Sequence, residues 1–215
     1  MTTLTTLQHS VANIAGLSIG QLAERYRVTL PRDLTRAKGW LGQFVEQVLG
    51  ASAGCRPEAD FPELGIELKT LPLNKRSEPQ ETTFVTTIDL ARLAGETWET
   101  SAVKRKLSHV LWIPYEAARD IPIAKRRLGS GIFWQPTAKQ ETILKTDWQE
   151  LTDMLALGDI EAVSGRFGEY LHVRPKAADG SALRKAFDAK GATIQTLPRG
   201  FYLRTKLTKE ILRSC

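Results

Sequence analysis

One stretch constrains this chain more than any other: Asp60-Phe-Pro-Glu-Leu-Gly-Ile-Glu67-Leu68-Lys69. An acid stands before a turn containing Pro and Gly, and Glu-Leu-Lys follows it. Ile66, Leu68 and Leu71 are apolar, so residues 64–71 read as a strand that ends at Pro72. Side chains alternate across a strand, which sends Glu67 and Lys69 to one face and Ile66 and Leu68 to the other, into a core. Asp60, at the far end of the turn, can fold back toward Glu67. Two carboxylates and an ammonium converging on a strand make a hard-cation site, the combination that phosphodiester hydrolysis needs. Mg²⁺ sits on one or two carboxylates plus substrate phosphate, so Asp60 and Glu67 are candidate ligands, with the Leu68 carbonyl a possible third. Lys69 is placed to position an attacking water or to offset charge in the transition state.

The acid-x-Lys spacing alone is not distinctive, because Asp179 and Asp188-Ala-Lys190 repeat the pattern. In that second copy Leu183, Ala186 and Phe187 recur at helical spacing before Gly191, which predicts a helix over 181–190. Residues two apart on a helix do not share a face, so the strand context favours the first copy. The structural alternative for the first copy is an ordinary amphipathic strand with solvated Glu and Lys.

The chain has 215 residues, 42% hydrophobic and 25% charged, enough for a good core in one or two lobes. No apolar run approaches a membrane span, and no basic segment followed by an apolar run opens the chain, so a cytoplasmic location is expected. Cys55 and Cys215 form no framework, and His9, His109 and His172 are scattered. No Gly-rich loop ending in Lys-Ser/Thr is present, so ATP binding is not expected. The net charge of +6 points to a polyanionic partner. Residues 166–206 hold nine Lys/Arg against three Asp/Glu, so the excess is gathered in one stretch. It reads as a binding surface; a merely solvated basic face is the alternative.

Helical periodicity dominates the first part of the chain. Leu7, Val11 and Ile14 share a face, Ser18 and Gln21 resemble a capping box, and a helix is predicted from about Arg36 to Leu49. Glu46 lies beside the apolar stripe of that helix, either at its solvent edge or aimed at the site that Glu67 marks. Residues 61–135 read mostly as strands, including Thr82–Ile88, Val110–Ile113 and Ile132–Trp134, with turns at 72–80 and 94–96. A helix over Thr137–Leu157, strands at 168–174 and 201–204, and a terminal helix from Thr208 complete the reading. The chain is expected to be one α/β domain, 1–215, with lobes at about 1–135 and 166–215 walling a cleft and 137–165 as a helical connection.

With Glu46, Asp60 and Glu67-Leu-Lys69 in place, the chain resembles the MutH family of DNA mismatch repair endonucleases. Lys38-Gly-Trp40, Leu49-Gly-Ala-Ser-Ala-Gly54, Glu81-Thr-Thr-Phe84, Val110-Leu-Trp-Ile-Pro114, Val173-Arg-Pro-Lys176 and Leu197-Pro-Arg-Gly-Phe-Tyr202 agree with it in order along the chain. The resemblance implies a restriction-endonuclease-like fold, a mixed sheet flanked by helices with two lobes around a DNA-binding cleft. It implies nicking of the unmethylated strand at hemimethylated GATC sites in double-stranded DNA. It further implies Mg²⁺, with Mn²⁺ as a possible substitute, activation by MutL and indirectly by MutS, and a monomer. By position, Asp60, Glu67 and Lys69 match the catalytic triad and Glu46 an additional acid. Lys38 and Phe84 match DNA-contacting positions, and Arg174, Pro175, Lys176 and Tyr202 the elements that read GATC. An Arg fork suits guanine O6 and N7, and a bulky ring such as Tyr202 can sense a methyl on adenine N6; a phosphate-contacting arginine and a core tyrosine are the alternatives. The basic run Lys104-Arg-Lys106 and the loop Asn74–Pro79, with Lys75 and Arg76, depart from the family pattern. Lys104 and Lys106 are candidate phosphate contacts. The same site residues would serve a restriction enzyme cutting both strands as a dimer, and a DNA-binding protein without catalysis is the third reading.

Overall fold

A computed structural model describes residues 2–33, 39–54, 58–90, 93, 95–158, 163, 165–176, 184–187 and 192–214. The chain divides into two compact units, one from residues 1–80 and 108–135, the other from 81–107 and 136–214. The units therefore interleave along the sequence. The segment 81–107 goes with the second unit, and so does the long helix that the sequence reading treated as a connection.

Three helices and a mixed sheet build the first unit. Helix α1 (Leu4–Ile14) opens on a capping box made by Thr3 and Thr6, and α2 (Ile19–Tyr26) on one made by Ser18 and Gln21. Helix α3 spans Trp40–Leu49 and is flanked by Gly39 and Gly50, at φ +82° and +77°. Its expected start near Arg36 falls in 34–38, outside the described residues. Strands β1 (Glu67–Leu73) and β3 (Val110–Glu116) run parallel, and β4 (Ile132–Trp134) pairs antiparallel with β3. The strand expected to stop before Pro72 continues through it to Leu73. Strand β1 lies at the edge of this sheet, where a missing N–H interrupts no ladder between two neighbours. One core joins Leu7, Val11, Leu22, Phe44 and Val48 of the helices to Ile66, Leu68, Leu111 and Ile113 of the sheet. A Cβ at Gly131 would lie 2.3 Å from Val11 Cγ1, so this glycine admits α1 to close packing.

The second unit has an antiparallel sheet in the order β2–β8–β5, formed by Thr83–Thr87, Arg199–Leu203 and Leu171–Pro175. Helix α4 (Ala102–Leu107) lies within a span read mostly as strands. Helix α5 (Ala138–Ala156) starts at Thr137 with a Gln140 capping box, and α6 (Thr205–Arg213) begins three residues before its expected start. The helix expected over 181–190 is a correction: Arg184–Phe187 is strand β6, paired antiparallel with β7, Thr193–Thr196. The helical spacing of Leu183, Ala186 and Phe187 is outweighed by pairing with β7, which lies beyond that window. The geometric ground for discounting the second acid-x-Lys copy therefore falls; Asp179, Asp188 and Lys190 lie outside the described residues. Among the described residues, no helix is long and apolar enough to cross a membrane.

Asp147 of α5 holds the start of β5. Its buried carboxylate accepts hydrogen bonds from the backbone N–H groups of Glu169, Tyr170 and Leu171 at 2.8, 2.6 and 2.8 Å. Asp147→Ala removes the acceptor and strands three backbone donors, two of them buried, so a loss of about 3–5 kcal/mol is expected, read as a lower urea midpoint.

Candidate active site

A four-residue turn creates the site. Phe61 N–H donates to Ile66 O at 2.9 Å and Ile66 N–H to Phe61 O at 3.3 Å, while Gly65 turns the chain at φ +63°. The outward neighbours of this closed pair are Asp60 and Glu67, which explains the six residues between the two acids. The Leu68 N–H then donates to Asp60 Oδ2 at 2.7 Å. The Leu49–Gly54 segment supports the arrangement from behind, where Ser52 and Ala53 N–H groups donate to the Asp60 carbonyl at 3.1 and 3.4 Å. The fold-back of Asp60 expected from sequence is thus built from backbone bonds.

Glu67 and Lys69 share the face of β1 opposite the core, and the Lys69 ammonium lies 3.3 Å from Glu67 Oε1. Both side chains are nearly sealed, at 7% and 9% exposure, so the solvated amphipathic strand does not describe them. Burying an ion pair carries a desolvation cost that good packing alone does not need, which makes a purely structural role less economical than a functional one. Two carboxylates and one ammonium sum to −1, and the donor atoms are oxygens. That set is of the kind that could hold a hard divalent cation such as Mg²⁺, with Asp60, Glu67 and the Leu68 carbonyl as the candidate ligands. Among the described residues, no three His, Cys, Asp or Glu side chains converge closely enough to hold a metal, so Glu46 does not complete a cage. Glu46 is half-buried on α3, and its Oε1 points back to within 3.9 Å of where a Cβ on Gly42 would stand.

A second set of candidates gathers on one face of the β2–β8–β5 sheet. Phe84, Tyr202 and His172 occupy one rung across the three strands. The Arg174 guanidinium lies 5.6 Å from the Tyr202 ring centre and donates to Thr82 Oγ1 at 2.9 Å. The Lys176 ammonium sits 4.1 Å over the Phe84 ring and donates to Thr87 Oγ1 at 2.9 Å. Both cations are exposed, as is Pro175, yet each is aimed by a threonine and a ring. A register shift in β2 between Phe84 and Thr86 re-aims this strand beside the face. Burial pushes the Tyr202 hydroxyl above its ordinary range, against the opposing pull of Arg174, and pushes Lys176 below its own.

The basic run behaves less uniformly. Lys104 ion-pairs with Glu99 and, at 3.3 Å, with Glu141, and its hydrogen bond to Glu99 holds it charged. Lys106 is half-buried on the same short helix, and Lys38 lies outside the described residues. Sequence reasoning missed Thr82 and Thr87, which aim the cations, and His172, which was noted only as scattered. Alternation along 171–175 was the available signal, since it puts His172 on the same face as Arg174.

Two carboxylates backed by a lysine, and a separate face of cations laid on aromatic rings, are the equipment of a protein that works on nucleic acid. Comparison with known proteins gives the family. The profile of the family described as DNA mismatch repair enzyme MutH matches residues 49–147. The DNA mismatch repair protein MutH of Vibrio campbellii is 51% identical over 206 residues, covering 96% of this chain and 91% of that protein. Those of Serratia proteamaculans and Haemophilus influenzae (strain 86-028NP) are 52% and 48% identical, covering 93% and 99% of this chain and 87% and 95% of theirs. The chain belongs to the MutH family of DNA mismatch repair enzymes.

Burial, reinforced by the charges of Arg204 and Arg174, pushes the His172 imidazole down to about 4 from an ordinary 6.5. The unfolded chain therefore takes up this proton at a higher pH than the folded one. The associated stability is full above pH 6.5 and is lost as the pH falls toward 4. The urea midpoint of the parent should fall across that window relative to His172→Phe, and the two should run parallel above it.

Proposed function

We propose that this chain is a Mg²⁺-dependent endonuclease of methyl-directed mismatch repair that nicks the unmethylated strand at hemimethylated GATC sites. The observation that carries the reading is the closed turn that delivers Asp60 and Glu67 together beside Lys69, in a chain that belongs to the MutH family. The parallel β1–β3 pair with helices packed on it supports a restriction-endonuclease-like fold for the first unit. The cation, bound by Asp60, Glu67 and the Leu68 carbonyl, supplies Lewis-acid polarisation of the scissile phosphate and a lowered pKa for bound water; Mn²⁺ meets the same oxygen set.

The protein groups divide the remaining work. Asp60 is held by the Leu68 N–H, so its carboxylate needs no reorganisation when substrate arrives. Lys69 holds an ammonium where negative charge builds on the phosphoryl oxygens, or orients the attacking water. Glu46 acts as an auxiliary acid that tunes the field. On the reading face, Arg174 presents its fork to guanine O6 and N7, already oriented by Thr82 and the Tyr202 ring. Tyr202 rejects a methyl on adenine N6 of the cut strand, while Phe84, Pro175 and Lys176 fix the register of the duplex. Lys38 and Lys106 contact phosphates; Lys104, engaged by two carboxylates, contributes less than its charge suggests. The chain works as a monomer in the cytoplasm on nucleoid DNA, and MutL, signalled by MutS, activates it.

The direct test incubates the protein with unmethylated, hemimethylated and fully methylated GATC duplexes and Mg²⁺, with and without MutL. Nicking confined to unmethylated strands supports the reading, whereas breaks in both strands of every duplex point to a restriction enzyme. Asp60→Ala and Glu67→Ala should abolish nicking yet retain GATC binding without metal, because each acid serves the transition state more than affinity. Lys69→Ala should be crippled in chemistry with near-normal folding, and Glu46→Gln should be slowed less than Asp60→Ala. Nicking by Asp60→Ala at the parent rate would remove this acid from the mechanism.

Binding assays separate positioning from reading. Lys106→Ala should weaken binding to all duplexes alike and flatten the salt dependence. Arg174→Ala should cost about 1–3 kcal/mol on GATC and little on unrelated DNA. The reverse pattern would exchange the two assignments.

A further inference from the structure

Tyr202 has a built seat. On its own rung it is flanked by Phe84, with ring centres 5.3 Å apart at 66°, and by His172, 6.2 Å away at 71°. Both neighbours meet it edge to face, the arrangement aromatic quadrupoles favour. Two residues back along β8, on the same face, stands Gly200. A Cβ there would lie 2.9 Å from Phe84 Cε2, 3.0 Å from the Thr86 carbonyl oxygen and 3.4 Å from Tyr202 Cε2. The oxygen belongs to the backbone and cannot swing aside, so any side chain at this position displaces the rings.

His172 completes the seat in an unusual way. It is 5% exposed, and among the described residues neither ring nitrogen has a hydrogen-bond partner. Arg204, fixed by hydrogen bonds to the carbonyls of Gly165 and Phe167, and Arg174 both act against a positive charge on it. Among the described residues no relay runs through the imidazole, and burial with the two arginines disfavours its charged form. What remains is a flat, neutral wall against one side of the tyrosine.

We propose that His172 and Gly200 are specificity-determining positioning residues, seating the Tyr202 ring so that it rejects a methylated adenine. The inference rests on the reading of Tyr202 as the methyl sensor. A ring free to move by the width of one methyl group would admit the group it is meant to exclude. Tight discrimination thus requires the ring to be blocked on both sides and its floor left bare.

The experiment uses the intact chain with Mg²⁺ and the variants Tyr202→Ser, His172→Ala, His172→Phe and Gly200→Ala. One readout is the ratio of nicking rates on unmethylated and fully methylated GATC duplexes. The other is the fluorine resonance of Tyr202 in protein labelled with 3-fluorotyrosine, assigned by its loss in Tyr202→Phe. Tyr202→Ser and His172→Ala should each lower the ratio by about fivefold or more, and His172→Phe should stay within about twofold of the parent. His172→Ala and Gly200→Ala should shift or broaden the resonance, and His172→Phe should restore it. If Gly200→Ala does not fold, the His172 pair decides; if His172→Ala is too slow for a ratio, the resonance decides. An unmoved resonance overturns the seat. So does an unchanged ratio in His172→Ala while Tyr202→Ser lowers it, and in that case the sensor stands. An unchanged ratio in Tyr202→Ser overturns the sensor itself, and the proposed specificity role falls with it.

Discussion

The hydrogen bond from the Leu68 N–H to Asp60 Oδ2 is the constraint on which the acid site depends. Without it, the Asp60 carboxylate loses its tie to the strand that carries Glu67. With it, the acid is locked to the backbone of the strand that carries Glu67 and Lys69. The turn between Phe61 and Ile66 sets the spacing, and the Ser52 and Ala53 amides fix the Asp60 carbonyl. Each of these donors is a backbone group. The geometry therefore survives most side-chain changes around it but not a change in the length of the turn.

The second unit solves a different problem, because its proposed reading residues are exposed rather than sealed. Arg174 and Lys176 have long side chains, and an exposed long side chain is entropically costly to hold still. Each is steadied by a threonine hydroxyl at 2.9 Å and by the face of a ring. The rings are themselves immobilised on their rung. Order thus passes from the sheet register to the rings and from the rings to the cations.

Much of this was legible in the sequence, and the failures have physical causes. A capping box needs only local chemistry, so Ser18 with Gln21 announced α2, and apolar periodicity announced the helix from Thr137. The Asp60–Lys69 segment was legible because turn residues, alternation and charge agreed within ten positions. Strand β6 was not, because its hydrogen bonds go to β7 and nothing within 181–190 records that partner. The burial of Glu67 and Lys69 also escaped, since two charged residues on a strand face normally signal solvent. The engagement of Lys104 by Glu141 joins residues far apart in the chain, and a basic run gives no hint of it. Alternation could place His172 on the face of Arg174, but nothing near it in the chain records the β8 tyrosine it stands against.

Strands β1 and β3 are parallel, so no tight turn can join them, and residues 74–109 make the crossing. That crossing carries β2 and α4, which belong to the other unit. No contiguous block of the gene therefore encodes the ring-bearing sheet alone, and none encodes the acid-bearing sheet alone. Exchange of one unit by recombination would sever the other. Either unit can be exchanged whole only as two separate stretches of sequence, so its rungs change most readily one substitution at a time.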